Sequence, residues 1–447
     1  MFSCTKIFSE KEECDIVDTM YKLMCDYIDE NPTKISEPDF NDEMMDNVKE
    51  LFIRTCGEWN DFFFGGNEEI DDEIEELMEV TAELFYTQII PPRSFSNTFI
   101  RNGGGSGTCG GSSTCGGSGE HIAKTLEYLA SKPQPAQRTE EWYTFRHNLI
   151  TASNAYKAFE NQNVQNQLIY EKCFTKPVPP PSSPSSASAS QPQTSFVNVD
   201  SPLHWGQKYE PVSVMLYEDE YNTTVGDYGC IQHSTYPFLG ASPDGINDQC
   251  ESKRYGRMLE IKNIVNREID GIPKKEYWIQ MQLQMETCDL DECDFLETKF
   301  VEYESEEEFM KDGDSFVESP SGERKGIIMY FSKDGRPHYI YKPLDMGREE
   351  CDKWLEKHID DASGEHGVWI KNIYWKVEEY SCVLVLRNKK WFSDNIQQIE
   401  NIWNIIEKER ITGYAHRAPN KRTKPSEEKE KDKNESQQSQ CFLYKSI

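Results

Sequence analysis

Ser242-Pro243-Asp244-Gly245, followed after a spacer by Leu259-Glu260-Ile261-Lys262, is the stretch whose reading decides the fold. Strand side chains alternate faces, so Glu260 and Lys262 point one way while Leu259 and Ile261 point into a core. Asp244 closes an apolar run, Tyr236-Pro237-Phe238-Leu239-Gly240-Ala241, and Asn247 to Arg257 is polar enough to be a connecting loop. Two strands joined in this way bring both carboxylates to one hard divalent cation, which takes oxygen ligands and assists phosphodiester hydrolysis. Lys262 would then orient a water or neutralise developing charge. Read alone, Asp-Gly is also an ordinary turn, and Glu-x-Lys an ordinary pair on a solvated strand.

The chain has 447 residues, enough for one large domain or two to three ordinary ones. An apolar fraction of 36% and a mean hydropathy of −0.75 describe a globular body diluted by polar segments. No run of about eighteen apolar residues occurs, and Met1 to Lys6 does not begin a signal peptide. The expectation is a soluble intracellular protein without membrane partners. The 14 cysteines contain no Cys-x-x-Cys pair, which argues against a zinc ribbon or a redox motif. The net charge of −31 is unusual for a nucleic-acid partner, but the acid is uneven, with blocks at Glu68–Glu76 and Glu302–Glu308. Only a local groove need be positive.

Residues 1–100 read as an acidic, mainly helical region, with Ile16, Met20, Leu23, Met24 and Ile28 at helical spacing. Residues 101–120 read as a Gly/Ser-rich linker, in which Cys109 and Cys115 could bind a metal but read more plainly as two free thiols. Residues 121–415 read as one domain, interrupted at 177–195 by a disordered Pro/Ser insertion. Residues 416–447 read as a charged, disordered tail. Ahead of this tail a helix capped by Ser393 would present Ile396, Ile399, Trp403 and Ile406 on one face.

Three flanking segments add to the central stretch. In Arg138-Thr139-Glu140-Glu141-Trp142-Tyr143-Thr144-Phe145-Arg146, Thr139 begins a helix whose Trp142 and Phe145, with Leu149 beyond, face the core and leave Arg146 on another face. Ser153 reads as the N-cap of the next helix, so Arg146 and that terminus could hold an anion; an ordinary surface arginine and cap is the plainer reading. In Trp205-Gly206-Gln207-Lys208-Tyr209-Glu210, Glu210 is either a further carboxylate of the site or a helix-start acid. In Tyr277-Trp278-Ile279-Gln280-Met281-Gln282-Leu283-Gln284, Trp278 and Met281 share a buried helix face, and Gln280 and Gln284 share the next.

Taken together and in this order, these motifs resemble the YqaJ-type viral recombinase exonucleases, relatives of phage lambda exonuclease in the PD-(D/E)xK superfamily. The resemblance rests on Arg138-Thr139-x-x-Trp142-x-x-x-Arg146, Ile150-Thr151-Ala152-Ser153, Gly206-x-x-Tyr209-Glu210, Leu239 to Gly245, Leu259 to Lys262 and Gln280-x-Gln282. It implies an α/β class with a PD-(D/E)xK restriction-endonuclease-like core, a mixed sheet flanked by helices, and Mg²⁺- or Mn²⁺-dependent hydrolysis of linear duplex DNA in the 5′→3′ direction. By the same resemblance Asp244, Glu260, the Ile261 carbonyl and Glu210 are metal ligands. Lys262 and Gln280 are catalytic, and Arg146 and Ser153 bind a terminal 5′-phosphate. Gln282 and His233 are weaker candidates, His233 as a substitute ligand where relatives carry another acid. A single-strand-annealing partner, a ring-shaped trimer, and the host nucleus or a cytoplasmic viral replication site are implied in the same way.

The leading expectation is thus a metal-dependent DNA exonuclease acting in viral recombination, replication or repair. A structure-specific or single-strand endonuclease on the same fold is the runner-up, distinguished by cutting of closed circles. An acidic recombination adaptor with a vestigial nuclease fold is the alternative from another class; the intact Asp244, Glu260 and Lys262 speak against it, and a binding assay on residues 1–100 would test it.

Overall fold

The computed structural model describes residues 7–31, 34, 37, 39–55, 68–88, 95–96, 119–135, 139–174, 198–199, 201–359, 364 and 366–418. The 177–195 insertion, Arg138, Cys109 and Cys115 lie outside these residues, as do most of the 101–120 linker and of the 416–447 tail. The chain divides into two units, one comprising residues 1–156 and 180–397, the other 157–179 and 398–447.

The acidic region folds as the helices Glu10–Glu30, Phe40–Thr55 and Glu68–Gln88. Ser9 opens the first with a capping box, its hydroxyl accepting from the Glu12 amide while Glu12 reaches back to Ser9. Met20, Met24 and Tyr27 pack with Met44, Val48, Phe52, Ile74, Met78 and Phe85 into a core made of this region's own residues. Their spacing of three and four is that of one helical stripe. Ile16, Leu23 and Ile28 pack partly buried against it, as the sequence spacing anticipates.

The larger sheet comprises β1 (Phe95–Ser96), β3 (Val225–Gly226), β6 (Gly245–Asn247), β7 (Met258–Ile264), β8 (Glu292–Glu302), β9 (Lys325–Lys333), β10 (Arg336–Tyr341) and β11 (Val368–Leu386). Its order is β10-β9-β11-β8-β7-β6-β3, with β1 also paired to β11. The β7–β8 pair is parallel, and the others are antiparallel. A parallel pair needs a crossover, here containing the helix Lys275–Cys288. β11 pairs with β9 along its first half and with β8 along its second, and register shifts at Trp369/Lys371 and Val377/Glu379 curl it. A smaller sheet runs β2 (Ile150–Thr151), β5 (Leu239–Ala241), β4 (Ile231–Gln232). The class is α/β, a curled mixed sheet flanked by helices.

Leu259 and Ile261 of β7 join Leu296, Phe300, Trp375 and Tyr380 in a core against Tyr209, Val212, Leu216 and Tyr217 of the helix Pro202–Tyr221. The period of two along β7 therefore sends Glu260 and Lys262 to the opposite face.

Two caps fall elsewhere than expected. The last long helix spans Lys389–Thr412, and Asn388, not Ser393, starts it: Asn388 Oδ1 accepts from the Trp391 amide at 2.9 Å. The Ser393 hydroxyl donates back to Lys390 O at 2.8 Å within the first turn. Ser153 is likewise not an N-cap. Thr151 precedes a helix of four residues, Ala152–Ala155, and Ser153 lies inside it. A Ser hydroxyl can satisfy either position, and the backbone of Ile150–Thr151 is taken by pairing with β5, which fixes where the helix can begin. In the second unit, the guanidinium of Arg410 donates twice to Lys172 O, at 3.0 and 2.8 Å.

Candidate active site

The β6–β7 ladder pairs Gly245 with Leu259, and the Asp244 amide extends it by donating to Leu259 O at 3.1 Å. Asp244 is thereby set across from Glu260. Glycine at 245 is needed for this approach, since a Cβ there would lie 2.1 Å from Val225 Cγ1 of the neighbouring strand. Asp244 Oδ2 accepts from the Ile261 amide at 2.7 Å. A strand residue's own N–H and C=O face the same edge, so the Ile261 carbonyl also faces the Asp244 side.

Glu260 is 0% exposed. Its Oε1 pairs with Lys262 Nζ and accepts from Gln280 Nε2 at 2.7 Å. Its Oε2 accepts from Gln284 Nε2 at 2.7 Å. Gln280 and Gln284 are four apart on the helix Lys275–Cys288, hence on one face. Gln282 belongs to another face: its Nε2 donates to Leu386 O at 2.9 Å, and its Oε1 accepts from the Asn388 amide at 2.6 Å. Gln282 ties the end of β11, and Gln284 takes the place beside Glu260. The signal for this was the spacing of four, against the spacing of two in the Gln280-x-Gln282 motif.

Loss of solvation pushes the Asp244 carboxyl well above the usual range, with the charges of Glu260 and Glu210 adding to the rise and Lys262 opposing it. Burial works against charge on Lys262, but Glu260 and Asp244 outweigh it and hold its pKa above that of an ordinary lysine. The ammonium also sits 4.9 Å from the Tyr277 ring centroid. Among the described residues no three His, Cys, Asp or Glu side chains already converge to ligand distance. The donor set still fits a hard divalent cation. It consists of carboxylate and carbonyl oxygens, and a bound cation would offset the burial and the neighbouring carboxylate charge that raise Asp244.

A second cluster adjoins the first. Thr139 caps the helix Glu140–His147, accepting from the Trp142 amide at 3.2 Å. Trp142 and Phe145 are half-buried and Leu149 is buried. Arg146 Nη1 donates to Ser242 Oγ at 3.0 Å, Nη2 to Ser153 Oγ at 3.5 Å, and its Cζ lies 4.6 Å from the Trp142 ring centroid. Thr151 Oγ1 is 3.3 Å from Ser153 Oγ. The parallel pairing of Ile150–Thr151 with Leu239–Gly240 carries Ser153 toward Ser242. Hydroxyls and a guanidinium, rather than a helix terminus, make this cluster.

His233 is occupied otherwise. Its Nδ1 accepts from the amides of Thr235 and Tyr236 at 3.0 and 3.2 Å, and its ring stacks on Phe392 with centroids 5.9 Å apart. Burial lowers its pKa, which suits a neutral ring stapling a turn.

Residues 141–291 match the family model of the YqaJ-like viral recombinase domain. This stretch is similar to a YqaJ-like viral recombinase domain. It takes in both the Arg146 cluster and the Asp244–Glu260 cluster. The chain is 31% identical over 316 residues to an uncharacterized protein, R354, of Acanthamoeba polyphaga mimivirus, covering 63% of this chain and 54% of that one. It thus spans about half the length of the curated relative it matches. Among solved structures, an alkaline exonuclease from Laribacter hongkongensis aligns with a TM-score of 0.33 and 18% identity, over 61% of this chain and 94% of that one, alone and in complex with dAMP. Among the described residues, no helix is long and apolar enough to cross a membrane.

Proposed function

We propose that the chain is a divalent-metal-dependent deoxyribonuclease that degrades linear duplex DNA from 5′-phosphorylated ends. The observation that carries this reading is the Arg146–Ser242 bond of 3.0 Å. Ser242 begins the turn that bears Asp244, so a phosphate gripped by Arg146 and Ser153 would stand at a fixed offset from the carboxylates. Such an offset selects which phosphodiester is cut.

Asp244, Glu260 and the Ile261 carbonyl would hold the cation, with Glu210 beside them. A bound Mg²⁺ or Mn²⁺ supplies a Lewis acid and a more acidic water. The residues themselves do the rest. Lys262 keeps its proton, held by Glu260 and Asp244, and offers N–H donors to the attacking water or to a non-bridging phosphate oxygen. Gln280 holds Glu260 in place. Arg146 keeps its guanidinium aimed by stacking on Trp142.

The test compares duplexes ending in 5′-phosphate and 5′-hydroxyl, with wild type and Arg146→Ala. The reading expects wild type to favour the phosphate and the variant to lose that preference while still cutting slowly. A variant that keeps the preference would move the end-recognition site elsewhere.

A further inference from the structure

The helix Lys275–Cys288 delivers one amide to each oxygen of Glu260, but only one of the two also reaches the opposite half of the site. Gln284 Nε2 donates to Glu260 Oε2 at 2.7 Å and to Ser242 O at 3.3 Å. Ser242 O belongs to the residue before Pro243, whose ring fixes the entry to the Asp244 turn. We infer that Gln284 is a positioning residue that sets the distance between the Asp244 turn and Glu260, and with it the affinity for the divalent cation. This rests on the metal-dependent reading given above.

Three further facts favour positioning over packing. Gln284 is 0% exposed, so water does not compete for its donors. Its acceptor is a buried carboxylate, the stronger kind of hydrogen bond. Among the described residues its Oε1 has no hydrogen-bond partner, a cost that Met or Leu at the same place would avoid. Gln282, two residues away, shows the contrast, with both ends of its amide satisfied by backbone at the end of β11.

The probe is Mn²⁺ alone, titrated calorimetrically into the full chain without DNA. Wild type, Gln284→Met, Gln284→Asn and Gln282→Met are compared, each with a thermal melt. Partners of this kind typically change metal affinity about 10- to 100-fold. Gln284→Met is therefore expected to bind Mn²⁺ about 10- to 100-fold more weakly, with a cooperative melt retained. Gln284→Asn keeps the amide but is one methylene too short to span both acceptors, and should shift the same way. Gln282→Met should lower the melting temperature and leave Mn²⁺ affinity unchanged. Half-saturating Mg²⁺ for DNA cleavage should rise in the Gln284 variants more than kcat falls.

Wild-type Mn²⁺ affinity in a folded Gln284→Met or Gln284→Asn protein would overturn the inference and leave the function standing. Loss of the cooperative melt in both would assign Gln284 to packing and overturn it as well. Absence of Mn²⁺ binding to wild type would sink the metal-dependent reading itself.

Discussion

Lys262 is the side chain on which most of the proposed chemistry converges. Its charge is held by Glu260 and Asp244 despite burial, and it is 21% exposed, open on one side. Lys262→Ala should cut the cleavage rate about 10²- to 10³-fold, the usual cost of one lost charge-stabilising donor, with the melting curve little changed. Cleavage within a few-fold of wild type would place the site elsewhere. Glu297, opposite Lys262 across the β7–β8 pairing, makes a pH prediction. It is 0% exposed, with Oε1 paired to Arg267 and Oε2 unpartnered among the described residues, and burial raises its pKa despite Arg267. The folded protein therefore keeps this proton at pH values where the unfolded chain, near the ordinary 4.5, has released it. Stability from this group is full below that value and is lost as pH rises through the raised one. In Glu297→Gln that loss is absent, so the variant's melting temperature should gain on wild type as pH climbs from about 4.5 toward neutrality. A constant difference across that range would contradict the assignment. At this scale Glu260 and Lys262 were legible because a strand repeats every two residues. Gln282 was overvalued because a motif spacing was given weight over the helical period that favours Gln284.

The element that fixes the site is the β6–β7 pair, and its weak point is a missing side chain. Gly245→Ala would press a methyl against Val225, a β-branched neighbour with little rotamer freedom. Overpacking of this kind costs about 1–3 kcal/mol. The variant should melt earlier and lose cleavage together, because the shift moves Asp244; full activity would mean that β3 yields freely. The same scale shows where sequence reading ran short. The strand with Glu260 and the helix with Gln280 carry strong local periodicity, and both were found. The short strand Ile150–Thr151 exists through its partner β5, nearly ninety residues away in the chain (240 against 151). No local pattern announces it, and so Ser153 was read as a cap. The Arg146–Ser242 bond spans a separation of 96 residues and was invisible for the same reason.

At the scale of the molecule, an acidic chain of net charge −31 presents a few basic groups where they matter. The three described N-terminal helices contribute none of these and close their own core, whose buried members all lie between Phe8 and Phe85. Removing residues 1–88 should accordingly leave metal-dependent cleavage within a few-fold, measured as specific activity on linear duplex; a tenfold loss would show that these helices support the site. The most direct test of the central claim is a digestion of linear 5′-phosphorylated duplex DNA beside a covalently closed circle. It is run with Mg²⁺, with excess chelator, and with Mg²⁺ restored. The account predicts loss of the linear substrate alone, stopped by the chelator and recovered with the metal. Cutting of the closed circle, or digestion that persists under chelation, would contradict it.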